Sequence, residues 1–141
     1  MTKIFFSGSI RGLRDKQETY LELIKHLNIY GTVLTEYVSD PKLSSYGDNK
    51  RSNDQIYDRD VSWIKESDIV VAEVSTPSLG VGYEIAYAEQ LGKKILCLYR
   101  KQTDKKLSAM INGNKKIITK EYETIEEATM YIDNFFTPQT T

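Results

Sequence analysis

Cysteine, histidine and tryptophan each occur once in these 141 residues, and proline only three times. The lone Cys97 rules out an intramolecular disulfide and favours an intracellular setting. It lies in the apolar run Lys94-Ile95-Leu96-Cys97-Leu98-Tyr99, where a thiol serves as a small hydrophobe in the core. Because His26 is the only imidazole, neither a Ser-His-Asp triad nor a histidine-based metal cluster is expected. His26 itself falls on the polar side of a helical pattern and is expected at the surface. An excess of one charge is missing too. With 19 basic and 20 acidic residues the net charge is -1, which gives no field to gather nucleic acid or an anionic membrane surface. No apolar run approaches the ~20 residues needed to cross a bilayer. Met1-Thr2-Lys3 leads straight into a strand pattern without signal-peptide architecture. The expected address is the cytoplasm, with the nucleus also open, and neither nucleic acid nor membrane is expected as a partner.

What is present is an alternation of strands and helices. Lys3 to Ser7 reads as a buried strand running into Gly8-Ser9. From Asp15 to Tyr30, apolar Tyr20, Leu23, Ile24 and Leu27 recur at helical spacing, and Gly31 supplies a stop. Thr32 to Tyr37 reads as a second strand, and Ser39 to Ser52, holding Pro41 and Gly47, as a long loop. A helix is expected over Asp54 to Glu66, then the most apolar strand, Asp68 to Val74. Ser75 to Gly82 reads as a loop, Tyr83 to Leu91 as a helix closed by Gly92, and Lys94 to Tyr99 as a strand. Lys115 to Thr119 is expected as the last strand, Thr124 to Phe136 as a closing helix, and the residues after it as a tail. The pattern predicts one α/β domain over 1–141, with 3–136 as its ordered core. Its fold should be doubly wound, Rossmann-like or flavodoxin-like, with a five-stranded parallel sheet and helices on both faces. Ligands bind beyond the carboxyl ends of the strands in such folds.

Two loops at those ends carry the candidate chemistry. Gly8-Ser9-Ile10-Arg11-Gly12 sets backbone amides, a hydroxyl and a guanidinium where a strand meets a helix, a combination suited to phosphate. The alternative is a plain turn with a solvated Arg11. In Ser75-Thr76-Pro77-Ser78-Leu79-Gly80-Val81-Gly82-Tyr83-Glu84, two glycines allow close approach of a ligand, and Ser78 can donate to a phosphate oxygen. Glu84 is expected in the first turn of the following helix, where the macrodipole favours an ionised carboxylate, as a nucleophile requires. A helix-start glutamate without a function is the alternative. Asp60 falls mid-helix. A second carboxylate is what glycosidic-bond cleavage usually needs, although spacing alone cannot bring Asp60 to Glu84.

Several stretches together resemble the 2′-deoxynucleoside 5′-monophosphate N-glycosidases of the wider nucleoside 2-deoxyribosyltransferase family. These are Phe6 to Gly12, Val33-Leu34-Thr35-Glu36, Asp60-Val61-Ser62-Trp63, Asp68 to Val74, Pro77 to Glu84 and Leu107 to Ile111, in order from about Lys3 to Phe136. The resemblance implies an N-glycosidic hydrolase acting on (deoxy)nucleoside 5′-monophosphates without metal or organic cofactor. Glu84 would attack C1′ and form a glycosyl-enzyme intermediate, and Asp60 would serve as acid or base. Ser9, Arg11, Ser78 and Gly80 would hold the 5′-phosphate, joined by Ser108 from the neighbouring subunit of a homodimer. Phe5, Gly8, Ile10 and Tyr37 would line the sugar and base pocket. Two of these depart from the family pattern, which usually has tyrosine at Phe5 and histidine at Tyr37, whereas related cytidine-monophosphate hydrolases use phenylalanine at the former. That departure leaves ribo sugars as candidate substrates. A deoxyribosyltransferase and a non-catalytic nucleotide-binding module are the competing readings.

Overall fold

The computed structural model describes residues 1–10, 17–35 and 51–138. Five strands form one sheet: β1 (Lys3–Gly8), β2 (Thr32–Val33), β3 (Ile69–Glu73), β4 (Lys94–Arg100) and β5 (Ile118–Tyr122). All are parallel, in the order β2-β1-β3-β4-β5. The helices between them are α1 (Gln17–Leu27), α2 (Asn53–Glu66), α3 (Leu79–Gln90), the short α4 (Ala109–Asn112) and α5 (Ile125–Phe136). This is the expected doubly wound α/β fold in its flavodoxin-like strand order. Its topological switch, where a ligand crevice forms, lies between β1 and β3.

Strand alternation divides the core into two layers. Ile4 and Phe6 of β1 face α1 and α5, packing with Tyr20, Leu23, Ile24, Leu27, Ile132 and Phe135. Phe5 faces the other way, with Ile64 of α2 and Val81, Ile85 and Ala88 of α3. Cys97 is fully buried in that second layer, as expected of a core thiol, and burial pushes it up to about 12. Each large apolar side chain removed from water here contributes about 1.5–3 kcal/mol, which is what fixes the helices on the sheet.

Among the boundaries that differ from the sequence expectation, three have a clear local reason. β2 is shorter than Thr32 to Tyr37. Thr35 Oγ1 accepts from Phe6 N at 2.8 Å and donates to Phe6 O at 2.7 Å, so a side chain takes over from the backbone ladder. β5 starts three residues later than Lys115, because Asn114 Oδ1 accepts from Lys116 N at 2.9 Å and holds a turn there. The helix expected from Tyr83 begins at Leu79 instead: Ser78 caps it, its hydroxyl accepting from Val81 N at 3.3 Å. Gly80 and Gly82 thus lie inside α3, where the burial of Val81, Ile85 and Ala88 outweighs the roughly 0.5–1 kcal/mol that each interior glycine costs.

His26 is not the plain surface residue expected. Its Nε2 meets Asp133 Oδ1 at 2.7 Å, and Tyr30 donates to the same carboxylate, which ties α1 to α5. The carboxyl end of β3 is pinned in a comparable way. Buried Glu73 accepts from Ser75 N at 2.9 Å, from Ser75 Oγ at 2.7 Å and from the Tyr122 hydroxyl of β5. The segment leading to the Ser78 cap is fixed at its root by these bonds.

Candidate active site

The site assembles at the switch point from β1, α2 and α3. Ser7, one residue from the end of β1, lies on the same strand face as Phe5 and is 1% exposed. Its hydroxyl donates to Glu84 Oε1 at 2.7 Å. Glu84 is the sixth residue of α3, in the second turn rather than the first. The macrodipole argument therefore does not apply, since that effect fades within the first turn. Burial dominates instead and pushes the Glu84 carboxyl up to about 8. The Ser7 hydroxyl opposes that rise, the charge and hydrogen bond of Asp60 add to it, and the Arg59 guanidinium opposes it.

Asp60 is thus brought to Glu84, 24 positions away in sequence, because α2 and α3 lie side by side on the same sheet face. The Arg59 Nε contacts Asp60 Oδ1 at 3.1 Å, with both side chains mostly buried, and the guanidinium lies 4.9 Å from the centre of the Trp63 ring. α2 itself is fixed at its start by a capping box, in which Ser52 and Gln55 satisfy each other's backbone amides. A neighbouring carboxylate disfavours the charged form, so Asp60 adds to the rise that burial imposes on Glu84.

Among the phosphate candidates, Ser9 is buried, and its carbonyl accepts from the Tyr20 hydroxyl at 3.0 Å. Gly8 is required by the same ring, because a Cβ there would stand 2.8 Å from Tyr20 Cζ. Ile10 is half-buried at the end of that loop. Arg11 and Tyr37 lie outside the described residues. Ser78 and Ser108 both line a groove of about 880 Å³, together with Leu79, Gly82, Leu107 and Met110. Ser108 caps the unexpected α4, its Oγ accepting from Met110 N at 3.3 Å. Glu84, Asp60 and Ser7 do not line that groove. A Cβ on Gly80 would meet only Ser78 Oγ, at 3.9 Å, so no packing demand explains that glycine. Among the described residues no group of three or more His, Cys, Asp or Glu side chains is placed to hold a metal ion, and no helix is long and apolar enough to cross a membrane.

Sequence reasoning did not single out Ser7 or Arg59. A signal existed for Ser7: it is the one hydroxyl on the otherwise apolar inward face of β1, at the strand end where ligands bind. Arg59 gave none, since a helical arginine beside an aspartate reads as solvated charge.

The fold is a flavodoxin-like α/β sheet with two half-buried carboxyl groups, Glu84 and Asp60, near its switch point. Residues 4–135 match the family model described as nucleoside 2-deoxyribosyltransferase. The chain is 43% identical over 141 residues to a 5-hydroxymethyl-dUMP N-hydrolase of Tetraodon nigroviridis, covering 97% of this chain and 99% of that protein. It is 50% identical over 111 residues to the 5-hydroxymethyl-dUMP N-hydrolase of Mus musculus, covering 78% of this chain but only 64% of the mouse protein. A CMP N-glycosidase of Clostridium botulinum shares the fold, with a TM-score of 0.69 at 23% identity over 95% of this chain and 99% of that one. The chain belongs to the nucleoside 2-deoxyribosyltransferase family. Within it, the expected class of N-glycosidase enzyme agrees with these relatives.

Proposed function

We propose that this protein hydrolyses the N-glycosidic bond of nucleoside 5′-monophosphates, releasing the free base and (deoxy)ribose 5-phosphate, with Glu84 as nucleophile. The observation that carries this reading is the Glu84 carboxyl at the switch point, held by the Ser7 hydroxyl at 2.7 Å with Asp60 beside it, where burial keeps a proton on Glu84 at neutral pH. Moving that proton from Glu84 to Asp60 creates a nucleophile and an acid in a single transfer. The Glu84 carboxylate then bonds to C1′ as the C1′–N bond breaks, and Asp60 gives its proton to the departing base. Water attacks C1′ in the second half, loses a proton to Asp60 and frees Glu84. Ser9, Arg11, Ser78 and the amides beside Gly80 hold the 5′-phosphate, which positions C1′ against Glu84.

The direct test offers 5-hydroxymethyl-dUMP, CMP and the nucleoside of each, with release of free base as readout. Release from the monophosphates, falling by at least ~10²-fold for the nucleosides, is expected, because phosphate binding energy is used at the reacting centre. Equal rates on nucleosides, or capture of the sugar by an added second base, would assign the chain to the transferase reading. Tight binding without turnover would assign it to the non-catalytic one.

Phe5 bears on the sugar. It is buried in the same layer as Ile85 and two residues from Ser7, on the strand face that meets Glu84. A ring without a hydroxyl leaves room for a ribose 2′-OH, so ribonucleotides are expected to be accepted alongside or ahead of their deoxy counterparts. Phe5→Tyr should move the ratio of kcat/KM values towards deoxy substrates by roughly 1–3 kcal/mol, the scale of one buried polar group. An unchanged ratio in matched ribo and deoxy pairs would leave Phe5 as packing alone.

The active form is a homodimer in which Ser108 of a second copy completes the phosphate site. Two-fold dimers are the commonest soluble oligomers, and Leu79 and Met110, 97% and 82% exposed, flank the groove that holds Ser78 and Ser108. Light scattering is expected to give the mass of two chains. A single-chain mass in a fully active sample would contradict it.

A further inference from the structure

Resting on the reading of Glu84 as nucleophile, we infer that Ser7 is its positioning residue: the buried hydroxyl holds Glu84 Oε1, so that the other oxygen is the one presented to C1′. The bond is 2.7 Å long and joins residues 77 apart in sequence. Ser7 sits within a strand, where the sheet fixes its backbone, and is 1% exposed, so water cannot take its place without the strand opening. A short, rigid hydroxyl is well suited to the task, since a serine has little rotamer freedom to lose when it is held. α3 brings the glutamate to β1, and the hydroxyl fixes the torsion of its last bond, which helix packing alone leaves broad.

Ser7 also acts on the ionisation of Glu84. A hydroxyl that donates to a carboxylate favours its charged form, so Ser7 opposes the rise that burial imposes. Among the described residues, the other charged groups facing Glu84 are Asp60 and Arg59, both from α2, which act in opposite directions. Of the two groups that counter the rise, the Arg59 guanidinium is engaged with Asp60, whereas the Ser7 hydroxyl is bonded to Glu84 itself. In the reading above the Glu84 proton passes to Asp60 and then to the base, so activity falls as pH rises through the pKa at which that proton is lost. Losing a donor to the carboxylate raises that pKa and moves the limb to higher pH.

The test is steady-state kinetics of Ser7→Ala and Ser7→Cys against 5-hydroxymethyl-dUMP across pH, beside Glu84→Gln. Ser7→Ala should lower kcat by roughly 10- to 100-fold with KM within about threefold, and move the limb up by about one pH unit, as for the loss of one donor to a charged group. Ser7→Cys, nearly the same shape with a weaker donor, should fall between the alanine variant and the natural protein in both respects. Should the alanine variant fail to fold, the cysteine variant carries the same test. An unmoved limb with kcat within twofold, in whichever variant folds, overturns the role of Ser7. If Glu84→Gln remains active, the nucleophile reading fails first; if it is inactive while Ser7→Ala behaves like the natural protein, only the positioning role falls.

Discussion

Glu84→Gln should abolish turnover by at least ~10³-fold and, at alkaline pH, make the protein more stable than its natural form. The first half follows from chemistry: an amide oxygen neither attacks C1′ nor leaves from it as a carboxylate does, and losses on this scale accompany removal of a nucleophile. The second half follows from where the carboxyl sits. Its pKa rises from 4.5 to about 8 on folding, so between those values the folded chain binds a proton that the unfolded chain has released. Stability therefore falls as pH rises through that window and levels off above it, by at most a few kcal/mol. Glutamine has the shape of the neutral acid and no proton to lose, so it escapes that cost. The melting-temperature difference between variant and natural protein should thus grow in favour of the variant from about pH 5 to about pH 8.5, by several degrees. A difference independent of pH would mean that Glu84 is ionised in the free protein. Gain of stability with loss of rate is the usual relation at a site held in an unfavourable state for function.

Asp60→Asn should cost roughly 10²- to 10⁴-fold in kcat, the contribution of a positioned acid or base. Its distinctive sign is in the pH profile. Asp60 raises the Glu84 pKa through both its charge and its hydrogen bond, whereas Arg59 lowers it. Replacing the carboxylate by an amide removes the first influence and leaves the guanidinium, so the limb of kcat/KM set by the Glu84 pKa should move to lower pH. That is the opposite of the shift expected for Ser7→Ala. A limb that stays in place, or rises, in Asp60→Asn would show that Asp60 does not raise the Glu84 pKa.

Much of this was legible in the sequence for reasons the structure makes plain. The runs Ile69-Val70-Val71-Ala72 and Ile95-Leu96-Cys97-Leu98 are covered on both faces, so continuous hydrophobicity gave both their strand character and their parallel pairing. At the start of α3, Gly80 and Gly82 suggest a loop. The contrary signal was Val81, Ile85 and Ala88, three buried residues at helical spacing behind a serine cap. The edge position of β5 leaves Thr119 to Glu121 polar and only Tyr122 buried, so hydrophobicity marks its bounds poorly. At the site, Glu84 and Asp60 were named from motif and resemblance, but their contact was not, since no spacing rule relates one helix to the next. The state of Glu84 was inferred from a helix-end dipole that acts near the first turn, when burial decides it. Ser7 and Arg59 went unmarked because a hydroxyl and a guanidinium acquire their roles only from the carboxyl groups that the fold sets against them.

The central claim, that the Glu84 carboxylate bonds to C1′, is tested most directly by the stereochemistry of the product. With 5-hydroxymethyl-dUMP as substrate and methanol as a competing acceptor, two successive displacements at C1′ return the sugar to its starting β configuration, whereas a single attack by the acceptor inverts it. The account predicts the β-methyl glycoside of deoxyribose 5-phosphate in the nuclear magnetic resonance spectrum of the quenched reaction; the α anomer would contradict it.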